Sequence, residues 1–228
     1  MGRWAVFTAA MVAGAVLFLL WGREPLQRQL DTARVANMFV PADRDSFDPG
    51  PALGSHFPGL RAQWQGREIT LLEPLAGPRG TVLVVLRSVV WSPWCREELR
   101  RLQALLPAYR EAGIGLAAIS RDPPQALAAT ARELGITLPL LSDRDHLSFA
   151  TLGLLDPAHP RGSRHFGLPL PGSLVVDRDQ RVVAKTFLAE HRQRVAPEAV
   201  LALAARTLPP ARAPGARATA LKPGPAVP

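Results

Sequence analysis

Apolar and polar positions divide the chain into an uncharged N-terminal run, a long patterned middle and an unpatterned end. From Trp4 to Trp21 no residue is charged and none is proline, a stretch of 18 residues. That length is the lower edge for a membrane-spanning helix, and Trp4 and Trp21 suit its two interfaces. A small triplet, Ala13-Gly14-Ala15, lies inside the run, but Phe18 to Trp21 continues it and no small-x-small cleavage site follows. The expectation is an uncleaved anchor over residues 1–23 rather than a removed signal. Residues 24–53 read as a juxtamembrane linker, with a short helix over Leu26 to Val40 and a turn-rich stretch after it.

The middle, residues 54–206, alternates short apolar runs with amphipathic ones. Glu68 to Leu72 and Thr81 to Arg87 read as strands, the second buried on both faces. Leu99, Leu102, Leu106 and Tyr109 recur at helical spacing, so Cys95 to Glu111 is predicted to be a helix. Pro107 should bend or interrupt it, and Gly113 should end it. Ile114 to Ser120 is the next strand, and Pro124 to Leu134 a helix closed by Gly135. Leu138 to Leu141 is a short strand and Asp145 to Gly153 a helix, with Asp143 and Asp145 placed to cap it. Leu174 to Val176 and Arg181 to Thr186 should form a hairpin, and Pro197 to Arg206 the last helix. Strands joined through helices imply parallel pairing, and the final hairpin an antiparallel edge, which makes the domain α/β. Residues 207–228 are rich in Pro, Ala and Gly, without periodicity, and are expected to be disordered.

Composition narrows the chemistry. The net charge is +8, but the basic residues are mostly arginines scattered along the chain. No dense basic run is interleaved with aromatics, which points away from nucleic acid. His159 and His165 share one loop, too few ligands for a metal, and a solvated loop is expected. There is one cysteine, Cys95, so no disulfide can form within the chain. It falls between a buried strand and a helix, in Trp91-Ser92-Pro93-Trp94-Cys95. Helix N-termini favour the thiolate, the reactive form of cysteine. Ser92 and Pro93 also suit the N-cap and first helical position. Trp91 and Trp94 are expected to cover the end of the sheet, although they could shape a partner surface instead.

Over about residues 54–206 the chain resembles the redoxin group of the thioredoxin fold, the alkyl hydroperoxide reductase and thiol-specific antioxidant (peroxiredoxin-like) proteins. The resemblance rests on Gly54-Ser55-His56-Phe57-Pro58, Gly66 to Leu71, Val82 to Cys95, Gly115 to Ser120, Leu140 to Asp143 and Pro171 to Asp177, in that order. It implies a central mixed sheet flanked by helices, behind the N-terminal anchor. It implies no cofactor and no metal. Where thioredoxin-like members carry Cys-x-x-Cys, Ser92 stands at the first position, and dithiol exchange needs sulfur at both ends. Peroxiredoxins carry Thr/Ser-x-x-Cys, which Ser92 to Cys95 fits. The implied site is Cys95 with Ser92, supported by Trp91, Pro93, Trp94 and a cis-proline at Pro171. Peroxide would oxidise Cys95 to a sulfenic acid, and an external thiol or redox protein would reduce it.

Two further features of the pattern are missing. Ser88 stands where proline is expected, and the late arginine that helps hold the thiolate falls near Pro171. Arg87, Arg96 and Arg164 are the candidates to replace it. The other reading is a catalytically degenerate thioredoxin-fold module for binding or assembly in envelope redox or cytochrome biogenesis. An accessible thiol beside an arginine and the Ser92 hydroxyl would favour the enzyme. A thiol buried under Trp91 and Trp94 without a cation would favour the module. Arginines flank the apolar run on both sides, so charge does not settle its orientation; a single anchor before a folded domain is a common export arrangement and suggests an extracytoplasmic domain on the periplasmic side.

Overall fold

The structure is a computed structural model; it describes residues 23–211 and Met11. Most of the expected anchor, residues 1–23, and of the Pro/Ala-rich tail, residues 207–228, lies outside the described residues. Among the described residues no helix is long and apolar enough to cross a membrane.

A central strand, β4 (Gly80–Val85), is buried along its whole length. It pairs in parallel with β5 (Ile114–Ser120), which pairs in parallel with β6 (Leu140–Ser142). On its other side β4 pairs antiparallel with β7 (Gly172–Asp177), and β7 with the edge strand β8 (Val182–Phe187). The far edge is a small hairpin, β2 (Ala62–Trp64) and β3 (Arg67–Ile69), turned at Gln65 and Gly66, both at positive φ. The whole is one mixed sheet in the order β3-β2-β6-β5-β4-β7-β8. The parallel centre and antiparallel final hairpin agree with the sequence pattern.

Strand periodicity sorts the core onto two faces. Val82 and Val84 of β4, with Leu116 and Ala118 of β5, join the cluster that also holds Cys95, Leu99, Leu102 and Leu106. Leu83, Val85, Ala117 and Ile119 face the opposite cluster, with Phe57, Leu72, Phe149 and Leu152. Helix α2 (Pro93–Glu111) covers the first face, with α3 (Pro124–Leu134) and α5 (Pro197–Thr207). Helix α4 (Leu147–Thr151) lies on the second. A longer helix, α1 (Arg23–Val35), precedes the sheet.

α2 begins where its sequence says it should. Ser92 is the N-cap and accepts the Cys95 N–H at 3.3 Å, and Pro93 follows. Of the two expected effects of Pro107, a bend or an interruption, the interruption does not occur: the helix runs unbroken to Glu111. Pro107 is exposed, so the carbonyl it leaves without a donor can turn to water. The Asp143 carboxylate caps α4, accepting the Ser148 and Phe149 N–H groups at 3.0 and 2.9 Å. Gly135 closes α3 in the left-handed conformation at φ 65.

The sequence pattern did not reveal β2, and the helix expected over Leu26 to Val40 ends at Val35, with a strand at its expected far end. β1 (Phe39–Val40) and β9 (Arg194–Val195) form a separate parallel pair. The segment after β1 is strapped across the end of the sheet. Asp43 accepts the Phe187 N–H and Asp45 the Ala189 N–H, each at 2.9 Å. Lys185 donates back to the carbonyls of Pro49 and Pro51.

Candidate active site

Cys95 sits in the first turn of α2, fully buried on the helix's inner face. That face carries Cys95, Glu98, Leu99, Leu102, Leu106 and Tyr109. A carboxylate on such a stripe is costly unless paired. Its partner is Arg194, which donates from Nε to Glu98 at 2.8 Å; both side chains are buried. Arg194 also donates to the carbonyls of His191 and Gln193, and its remaining nitrogen lies 3.9 Å from Cys95 Sγ. The guanidinium therefore bridges Glu98 and the thiol, and brings positive charge to the sulfur.

This is the arginine that the expected late position lacked. Of the residues proposed to replace it, Arg87 donates to Asp156 and His159, and Arg96 to Glu133 and the Val89 carbonyl. Arg164 lines a cleft beside Trp91. None has a hydrogen bond to the thiol among the described residues, and Arg194 does. His159 is tied to the buried Arg87 and is partly exposed, in a loop that mostly faces solvent as expected. Arg194 stands on β9, where Met38 accepts its N–H at 2.8 Å. The N-terminal segment thus holds the strand that delivers the guanidinium.

The Ser92 hydroxyl faces the Cys95 N–H, so its visible role is the cap. Pro93 is the first residue of α2. Trp91 does not cover the sheet: it is 56% exposed, beside Val90 at 48%. Trp94 is half-buried, with the Arg192 guanidinium 5.5 Å from its ring centroid. Neither tryptophan belongs to a core cluster. Pro171 borders the small space around Glu98 and Arg194, as a site proline would. However, there is no cis peptide bond among the described residues, so Pro171 is trans, the ordinary state of an X-Pro bond. β7 begins at the next residue. A side chain at Gly172 would collide with the Thr186 carbonyl and the Phe187 ring of β8, so glycine is required there.

Ser88, the departure from the proline pattern, has its own network. Its hydroxyl donates to Asp122 at 2.6 Å and accepts the Val90 N–H at 3.1 Å. Asp122 also takes the Val89 N–H and the Ser120 hydroxyl, at 2.7 and 2.9 Å. The loop before Cys95 is thereby fastened to the end of β5.

Burial pushes the Glu98 carboxyl above its ordinary 4.5, against the pull of the Arg194 charge. The folded protein then holds this proton more tightly than the unfolded chain. The resulting stabilisation is complete below 4.5 and is lost as pH rises through the folded value. Urea midpoints at about pH 4 and about pH 7 should therefore fall more in the native protein than in Glu98→Gln, which cannot titrate. Equal changes in both would contradict the assignment.

Residues 53–185 match the AhpC/TSA family, and the chain belongs to that family. It is 29% identical over 126 residues to alkyl hydroperoxide reductase E of Mycobacterium tuberculosis, covering 55% of this chain and 78% of that protein. In fold it is similar to the peroxiredoxin-like protein of Aquifex aeolicus, with a TM-score of 0.59 at 15% identity, covering 70% of this chain and 90% of that one. It is also similar to the peroxidoxin BcpB of M. tuberculosis, with a TM-score of 0.54 at 23% identity, over 70% and 97% of the two chains. These likenesses place the chain in the thioredoxin-like fold of peroxiredoxins. Arg194 and β1 both lie outside the family match, one after it and one before it.

Proposed function

We propose that this protein is a single-cysteine, peroxiredoxin-like thiol peroxidase. The observation that carries the reading is the Arg194 guanidinium at 3.9 Å from Cys95 Sγ, in the first turn of α2. Family membership supports a thiol peroxidase or oxidoreductase, and its relative alkyl hydroperoxide reductase E points to a peroxide substrate. The Cys95 thiolate attacks one peroxide oxygen; the S–O bond forms as the O–O bond breaks. With one proton taken up, the products are the Cys95 sulfenic acid and an alcohol or water. Arg194 complements the negative charge as it passes from sulfur to the leaving oxygen. With no second cysteine in the chain, an external thiol must restore Cys95.

The complete burial of Cys95 favours the second reading, a binding or assembly module that has lost catalysis. One experiment separates the two. With hydrogen peroxide and an external thiol, the full-length protein should consume peroxide and gain one oxygen at Cys95. Cys95→Ser should do neither. Peroxide loss that is the same in both proteins would leave only the module. The uncharged run from Trp4 to Trp21 further supports a membrane-tethered protein with an extracytoplasmic domain. Deleting residues 1–23 should move it from the membrane to the soluble fraction, and a full-length protein that is already soluble would refute the tether.

A further inference from the structure

Beside the loop that leads to Cys95 lies a cleft of about 520 Å³, lined by Arg87, Ser88, Trp91, Arg121, Arg164 and His165 among others. The volume is that of a site for a small molecule. Its charge is unbalanced. Arg87 is paired with Asp156, and Asp122, which accepts from Ser88, Val89 and Ser120, is the other carboxylate at the cleft. Arg121 and Arg164 have no ion pair or side-chain hydrogen bond among the described residues, so the cleft keeps a net positive charge. Trp91, in the loop that leads to Cys95, lines the cleft; its backbone N–H is 3.4 Å from the Ser88 hydroxyl and its side chain is largely exposed. Arginine pairs carboxylates in a geometry that lysine does not reproduce, and an exposed indole offers an apolar wall beside them.

We propose that this cleft binds the reductant of the cycle, and that the reductant is an anionic low-molecular-weight thiol, one that carries carboxylates. The proposal rests on the peroxidase reading above. The thiol sulfur attacks the Cys95 sulfenic acid, forming a mixed disulfide and releasing water. A second thiol molecule then attacks that disulfide, returning the Cys95 thiol and leaving the small-molecule disulfide. Two electrons from two thiols balance the two taken by the peroxide. Because Cys95 is buried, the exchange requires a local opening around it, and the cleft lies against the Ser88–Ser92 loop that leads to it.

The test uses glutathione, which carries two carboxylates, and glutathione diethyl ester, which carries none. The full-length protein is first oxidised with hydrogen peroxide, and the added oxygen at Cys95 is verified by intact mass. Loss of that oxygen is then followed with each thiol. At low salt, glutathione should react about tenfold faster than the ester, and the advantage should shrink as salt is raised. Arg121→Gln with Arg164→Gln should erase the difference between the two thiols. Equal rates in the native protein, or an advantage that survives the double substitution, would overturn the cleft assignment while leaving the peroxidase reading intact. Failure to gain the oxygen in the first step would overturn the peroxidase reading, and the cleft assignment with it.

Discussion

Arg194→Ala should slow oxidation of Cys95 by peroxide about 100-fold, the scale on which a preorganised charge acts on a transition state. It should also cost about 3–5 kcal/mol of stability, because it leaves the buried Glu98 carboxylate without a partner. The two effects must be separated, since an unstable protein is also a slow one. Replacing both members, as Arg194→Met with Glu98→Leu, removes the orphaned charge and fills the space with apolar atoms. Such exchanges are often neutral or stabilising. The double variant should recover the native urea midpoint to within about 1 kcal/mol and still react with peroxide about 100-fold slowly. Recovery of both properties together would mean that Arg194 is a structural counter-ion and that its contact with the sulfur is incidental.

The contrast between Cys95 and Arg194 shows where sequence reading ends. Cys95 was legible because its setting is local. The apolar strand, the Ser92 cap, Pro93 and the stripe of Leu99, Leu102 and Leu106 all lie within a few residues of it, and α2 is found at Pro93–Glu111. β5 and α3 were legible for the same reason, each a run of one period closed by its own breaker. Arg194 follows Cys95 by 99 residues and sits on a two-residue strand with no period to detect. The one usable signal was indirect. Glu98 falls on the buried face of α2, and a buried carboxylate demands a cation from somewhere. The three-residue strands β2 and β3 were obscured by shortness, and β3 ends three residues before the end of the apolar run that suggested it. Trp91 and Pro171 were misread for the opposite reason. The apolar bulk of tryptophan suggested that it covers the end of the sheet, and a family analogy made proline cis, but the local network around Ser88 and the start of β7 govern both positions.

That network carries the second large effect. Asp122→Ala should destabilise the protein by about 3–4 kcal/mol, because it strips the acceptor from the Ser88 hydroxyl, the Val89 N–H and the Ser120 hydroxyl at once, and each buried donor left unsatisfied costs about 1–3 kcal/mol, not fully additively. Ser88→Ala removes one of these donors together with the acceptor for the Val90 N–H, and should cost about 1 kcal/mol. The larger consequence is at the thiol. Asp122 joins the end of β5 to the loop that precedes α2 and leads to Cys95, so losing it loosens the chain on the N-terminal side of the thiol. Alkylation of Cys95 under native conditions should therefore speed up in Asp122→Ala by more than the global loss of stability accounts for. A variant that opens only by global unfolding would show alkylation that tracks the urea midpoint alone, and Asp122 would then be a fastener of the core with no bearing on access to the sulfur.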